Sequence, residues 1–339
     1  MTSTLPARPD IAQLRRQAKE LQRSARDGHA AALGRLARVT TDPQRANLSA
    51  AQLAVAREYG FASWPALRAA VADATPPAGM HVARSVFANK DLSEPSLFTA
   101  DRFLALAHNA GWQPGPLPDA VVFTFSGIFA HVLRDDPRFE PNLLLAPGNS
   151  AMFNTIDDDP RIAVTCLSPG ATAMIGQVEN QVALGGADRF VIVGTAGAIH
   201  PDVHPGDVIV VDHAVRDDGV SSHYLPPDTY VDAHPGLSAS LLEALDQHGI
   251  AATYGSTWTV PTPYRSTATE VRQLADDGVA VVECEVASLL AVAEALGVRA
   301  AACLYVTSSI TDPTQAPPSE PLRPLEVFEA ALAALRNTP

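Results

Sequence analysis

From residue 101 onward, short apolar runs alternate with stretches of helical period, and this alternation constrains the fold more than any other feature. The runs expected as strands are Ala120–Phe125, Asn142–Ala146, Ile162–Leu167, Arg189–Val193, Val208–Val211, Ala251–Val260, Val279–Val282 and Ala300–Val306. Apolar residues at helical spacing predict helices near 127–134, 171–185, 237–248, 267–277, 286–297 and 325–336. Strands that are apolar on both faces need helices on both sides, so residues 101–339 read as an α/β domain with a central sheet.

The residues before it follow another pattern. Asp10 is a helix cap before Ile11, Leu14, Ala18 and Leu21; further helical segments cover about 29–38 and Ala50–Tyr59. Gly60 stops the third, and Ser63-Trp64-Pro65 opens a fourth through Leu67 and Val71. Residues 1–72 therefore form a small all-α module. Residues 73–100, with Pro76-Pro77-Ala78-Gly79, read as a linker with room for one strand at His81–Val86.

Charge divides along the same boundary. The chain carries a net charge of -13, yet residues 1–72 hold eleven Arg/Lys and five Asp/Glu, leaving +6 there and -19 in the remainder. An acidic body argues against nucleic acid as the main ligand, because phosphates need clustered cations. The basic head is expected to dock on the acidic body, on a partner subunit or on nucleic acid, in that order. No stretch approaches the ~18 apolar residues of a membrane span, and Met1–Pro6 lacks a signal peptide's apolar core. Cys166, Cys284 and Cys303 each lie in an apolar run, as reduced thiols of a cytoplasmic protein do. The ten histidines show no ligand spacing, so neither a metal nor a resident cofactor is expected.

Glu283-Cys284-Glu285 is the segment richest in chemistry. Two carboxylates at i and i+2 point the same way on an extended strand. This pair stands where a strand meets the helix pattern beginning at Val286, at the lip of the sheet, where α/β proteins bind ligands. Buried acids there need hydrogen-bond donors, and sugar hydroxyls are suitable; acids placed to complement a helix dipole are the plainer alternative. A second segment, Val193-Gly194-Thr195-Ala196-Gly197, ends a buried strand in glycine-punctuated turns whose backbone can approach a ligand closely.

With Pro205-Gly206-Asp207-Val208, Arg216-Asp217-Asp218-Gly219, Ser222-His223-Tyr224, Trp258-Thr259, Pro263-Tyr264-Arg265 and Val282–Leu290, these segments resemble the nucleoside phosphorylase and nucleosidase superfamily over about 119–312. The uridine phosphorylase-like branch is the nearest match. The resemblance implies a twisted mixed sheet flanked by helices, in a dimer or hexamer whose subunits complete each other's sites. It implies that Glu285 accepts the ribose 2'- and 3'-hydroxyls, that Glu283 supports it or reaches a neighbouring hydroxyl, and that Cys284 floors the sugar. Tyr264 would flank the base. Gly127, Gly194 and Thr195 would line the nucleophile site.

Departures from the family pattern bear on the nucleophile. His131 occupies the position of one phosphate arginine, Ile192 that of a second, and Pro147-Gly148-Asn149-Ser150 holds none for the third. Charge-assisted contacts are worth roughly 1.5–3 kcal/mol each, so their loss favours water over phosphate. His131 could be the water's base, a partial phosphate ligand or a structural histidine. Ser309 replaces the proton-donating acid of purine-cleaving members, and Thr267 and Thr269 replace a uracil-reading pair, leaving Arg265 as the nearby cation. The expected activity is N-glycosidic cleavage of a nucleoside by hydrolysis. The alternatives are phosphorolysis, with phosphate as co-substrate, and a non-catalytic nucleoside sensor.

Overall fold

The computed structural model describes residues 5, 9–73, 91–125, 127–141, 151–155, 161–312, 314–315 and 323–338. The expected strands at Asn142–Ala146 and His81–Val86, and the Pro147–Ser150 segment, lie outside them.

Four helices open the chain: α1 (Ile11–Arg26), α2 (Ala30–Leu36), α3 (Leu48–Glu58) and α4 (Trp64–Asp73). Asp10 caps α1 by accepting the Ala12 amide, and Asn47 caps α3 through the Ala50 amide. A fifth helix, α5 (Ala100–Asn109), starts where the linker was expected to end.

The body alternates strands and helices as its pattern requires. In chain order come β1 (Ala120–Thr124), α6 (Gly127–Asp135), β2 (Phe139–Pro141), β3 (Ala151–Thr155), β4 (Ile162–Cys166) and α7 (Ala171–Ala183). Next are β5 (Arg189–Ala198), β6 (Val208–Arg216), β7 (Tyr230–Asp232), α8 (Pro235–Gln247) and β8 (Thr253–Thr259). Last are α9 (Ala268–Asp276), β9 (Val281–Glu283), α10 (Val286–Leu296), β10 (Arg299–Ser309) and α11 (Arg323–Asn337). The short strands β2, β3 and β7 were not anticipated, because three to five residues leave little periodicity to read.

Among the described residues these strands form one mixed sheet, ordered β10-β6-β8-β9-β5-β1-β4-β3-β2, with β7 on β6. β10 also pairs in parallel with β5, so β10, β6, β8, β9 and β5 close into a five-strand ring with β1 to β4 as a wing. Closure removes edges. It also brings the end of β9 against β5, with Gly197 opposite Val282.

The head docks on the body. α3 packs on β8, Thr40 bridges Thr253, and Ser49 Oγ lies 3.3 Å from Ser256 Oγ. One apolar core runs through both, including Leu21, Leu53 and Trp64 of the head with Tyr254, Val208 and Leu241 of the body. The charge division follows from this contact: Arg15 pairs with Asp277, Arg26 with Asp202 at 2.9 Å, and Gln22 also donates to Asp202 at 2.9 Å. These partly exposed pairs contribute little stability and set the register of docking, while buried apolar area supplies the energy.

Candidate functional site

Glu283 is 7% exposed, and its carboxylate receives four donors. Oε1 accepts Thr257 Oγ1 at 3.2 Å and Thr259 Oγ1 at 2.5 Å; Oε2 accepts the amides of Glu285 at 2.6 Å and Val286 at 2.8 Å. A carboxylate offers about four lone-pair sites, so none remains for a ligand. The two amides belong to the start of α10, where intrahelical partners are lacking. Glu283 is thus a cap for α10 and a brace for Glu285. Burial first, and the charge of Glu285 second, push its carboxyl up to about 7.

Glu285 precedes α10 and is 6% exposed. Its Oε1 accepts the Gly170 amide at 2.6 Å. Burial raises its pKa, opposed by the Gly170 and Cys284 amides. Gly170 ends the loop between β4 and α7 with φ 126°, a conformation that L side chains rarely adopt. The site therefore joins two strand ends, β4 and β9, at the same rim of the sheet.

The antiparallel register of β5 and β9 brings Thr195, two residues before Gly197, to the end of the sheet that carries Cys284. A Cβ on Gly197 would lie 3.1 Å from Ile310 Cγ2, a tight contact, and 3.5 Å from Val282 Cγ1, so glycine eases the close approach of β5, β9 and β10. Gly194 and Thr195 face a recess of about 20 Å³ lined also by Phe125, Phe129, Val193, Tyr305, Pro324 and Val327. Phe129 places the first turn of α6, which begins at Gly127, beside Thr195. Among the described residues no cation lines this recess, and Ile192 is buried in the core at 1% exposure.

Of the other anticipated residues, some face solvent and the rest are engaged by neighbouring protein groups. His131 is exposed on α6, and Phe129 rather than His131 lines the recess. Tyr264 is 98% exposed and Arg265 is exposed beside it on a 3-10 turn, so within this chain Tyr264 meets no core. Thr267 is spent capping α9, exchanging hydrogen bonds with Glu270. Ser309 is buried and shares a 3.0 Å hydrogen bond with Thr311 while accepting the Asp312 amide at 3.1 Å; Asp312 turns to Thr314. Trp258 is core and donates to Asp217 at 3.1 Å. Cys284 is half-buried against an apolar cluster, and burial followed by the two flanking glutamates pushes its thiol up to about 12. It stays protonated at neutral pH.

Gly170 was not anticipated as a site residue. Its only signal is Ser168-Pro169-Gly170 between a strand and a helix pattern, a common turn composition.

A closed mixed ring with a winged sheet, glycine turns and a buried carboxylate at one rim define the α/β scaffold. The phosphorylase superfamily profile matches residues 137–337, more than half of the chain, and the chain belongs to that superfamily. It is 29% identical over 165 residues to the uridine phosphorylase of Thermococcus kodakarensis, covering 44% of this chain and 59% of the relative. It is 30% identical over 154 residues to a DeoD-type purine nucleoside phosphorylase of Bacillus cereus, covering 44% of this chain and 64% of the relative. The chain thus spans about three fifths of the length of these curated relatives. A crystal structure of purine nucleoside phosphorylase from Toxoplasma gondii, in complex with immucillin-H, shares the fold at TM-score 0.57 and 21% identity, over 65% of this chain and 92% of that one. Among the described residues no helix is long and apolar enough to cross a membrane.

Proposed function

We propose that this protein cleaves the N-glycosidic bond of a nucleoside, with Glu285 as the anchor for the sugar hydroxyls. The observation that carries this reading is the division of labour between the two glutamates. Glu283 is saturated by protein donors, whereas Glu285 is buried at the rim with Gly170 as its hydrogen-bonded partner. A buried carboxylate short of donors suits vicinal hydroxyls, and its charge would stabilise the cation that develops on the sugar.

The names of the relatives favour phosphorolysis and lend the expected hydrolysis no support. One observation keeps water as a second reading: the recess at Thr195 is apolar and tiny, without a guanidinium among the described residues. Gly127, Gly194 and Thr195 line the nucleophile side in either case. Cys284 is the sugar's floor, Ser309 is already engaged by Thr311 and the Asp312 amide, and the exposed Tyr264, Arg265 and His131 reach substrate only across a contact with a second subunit.

Incubating purified protein with purine and pyrimidine nucleosides, with and without phosphate, tests this. Free base with ribose 1-phosphate establishes phosphorolysis, and free base with ribose establishes hydrolysis. Glu285→Gln is expected to lower kcat/KM by about 100-fold or more. Turnover unaffected by that substitution overturns the assignment.

A further inference from the structure

A closed circuit of side-chain and helix-end contacts surrounds Glu285, and its far side is an acid with no part in the reading above. Asp218 is 7% exposed, in the loop after β6. Its Oδ1 accepts Ser221 Oγ at 2.7 Å, both oxygens accept the Ser221 amide at 3.2 Å, and Oδ2 accepts Ser288 Oγ. Ser288 lies three residues after Glu285, in the first turn of α10 and on the same side of the helix.

The loop that Asp218 organises reaches a second helix. The Tyr224 amide donates to the Ser221 carbonyl at 3.1 Å, and Tyr224 Oη donates to Glu179 Oε1 at 3.1 Å. Glu179 stands on α7, the helix whose first amides follow Gly170. Gly170 then closes the circuit at Glu285 Oε1. Arg216 Nε donates to Ser221 Oγ at 3.0 Å, and its other nitrogens hold the Pro226 and Leu225 carbonyls, so the loop is itself rigid.

We propose that Asp218 is a positioning residue: through Ser288 on one arm and Ser221-Tyr224-Glu179 on the other, it sets α10 against α7 and so fixes the Glu285 carboxylate on the Gly170 amide. Glu285 cannot do this alone. Its side chain has three rotatable bonds, and the Gly170 and Cys284 amides hold the carboxylate in place only while both backbones are held. The proposal rests on the nucleoside reading only for its second consequence, the effect on sugar selectivity.

Asp218→Asn and Ser288→Ala test it, with Leu53→Ala as a control that weakens core packing in a cluster separate from the one that holds α10 and α7. Hydrogen–deuterium exchange is read first, at the Gly170 amide, and needs no substrate. Asp218→Asn and Ser288→Ala are expected to speed exchange there by about tenfold or more, as for a weakened charge-assisted bond, and Leu53→Ala to leave it unchanged. The second readout is the ratio of kcat/KM for a ribonucleoside to that for its 2'-deoxy analogue. It should fall towards one in both circuit variants and hold in the control. Unchanged Gly170 exchange, or a control that moves it equally, overturns the positioning role. If exchange rises while no nucleoside is cleaved by the unmodified protein, the positioning role stands and the nucleoside reading falls. If exchange rises but the ratio of an active enzyme holds, Asp218 orders the loop without setting the sugar contact, and the proposal fails.

Discussion

Glu283→Gln isolates the contribution of the glutamate that caps α10 by its pH dependence. Glu283 is buried, and its carboxyl is pushed from 4.5 up to about 7, by burial first and by the charge of Glu285 second. An acid whose folded pKa is raised keeps its proton better in the folded state. Its contribution is fully present below the unfolded value of 4.5 and is lost as pH climbs through the folded value of about 7. That gap amounts to about 3 kcal/mol. Working above the isoelectric point near 5.1, a titration from pH 5.5 to 8 traverses about 2 kcal/mol of it.

Glutamine has the same shape, and its carbonyl can still take the Glu285 and Val286 amides. Its NH2 would face the Thr257 and Thr259 hydroxyls, and it has no proton to release. The variant should be the less stable protein at pH 5.5, with the gap closing by about 2 kcal/mol by pH 8. For 339 residues this is about 3 °C in Tm, at about 1.4 °C per kcal/mol. Calorimetry of both proteins at half-unit pH steps measures it. A gap that stays constant or widens with rising pH refutes the raised carboxyl, and with it the account of how α10 is capped.

Gly170→Ala should lower stability by about 1–3 kcal/mol because φ 126° strains a Cβ, and should raise KM for a ribonucleoside; unchanged Tm and KM would remove Gly170 from the site. Cys284, with its thiol pushed up to about 12, should react with iodoacetamide at pH 8 far more slowly than a free thiol, and labelling at the free-thiol rate would contradict its neutral role. Leu53→Ala, deep in the shared core, should cost about 2–5 kcal/mol and shift one calorimetric transition. Separate head and body transitions would show that the two melt independently.

The body's fold was legible because its long strands are apolar on both faces. β1 is buried at every position, and all of the expected strands and helices among the described residues appear. Ring closure was not legible, since the pairing of β10 with β5 depends on the curvature of the whole sheet and leaves no local mark. The starts of α1 and α4 followed from their caps, whereas α3 begins at Leu48 on an Asn47 cap, ahead of the expected Ala50, and α2 is shorter than 29–38; the docking of the head followed from charge only as one of three options. At the site, Glu283 and Glu285 were visible together. Tyr264 and His131 were anticipated from motif order alone, and order says nothing of exposure, which the three-dimensional surroundings decide.

Two acids at i and i+2 look equivalent on a strand, and the structure breaks that symmetry one residue later. β9 ends at Glu283, so Glu285 no longer obeys strand alternation and its backbone has left the extended region, at φ -134° and ψ -30°. The first acid meets the strand's own neighbours on β8, Thr257 and Thr259, and is consumed by them. The second is lifted beyond the sheet, where its protein partner comes from a different crossover, the β4–α7 turn. A carboxylate capping the helix frees its successor from that task. Under the proposed function, the donors consumed at the first leave acceptor capacity at the second for a ligand.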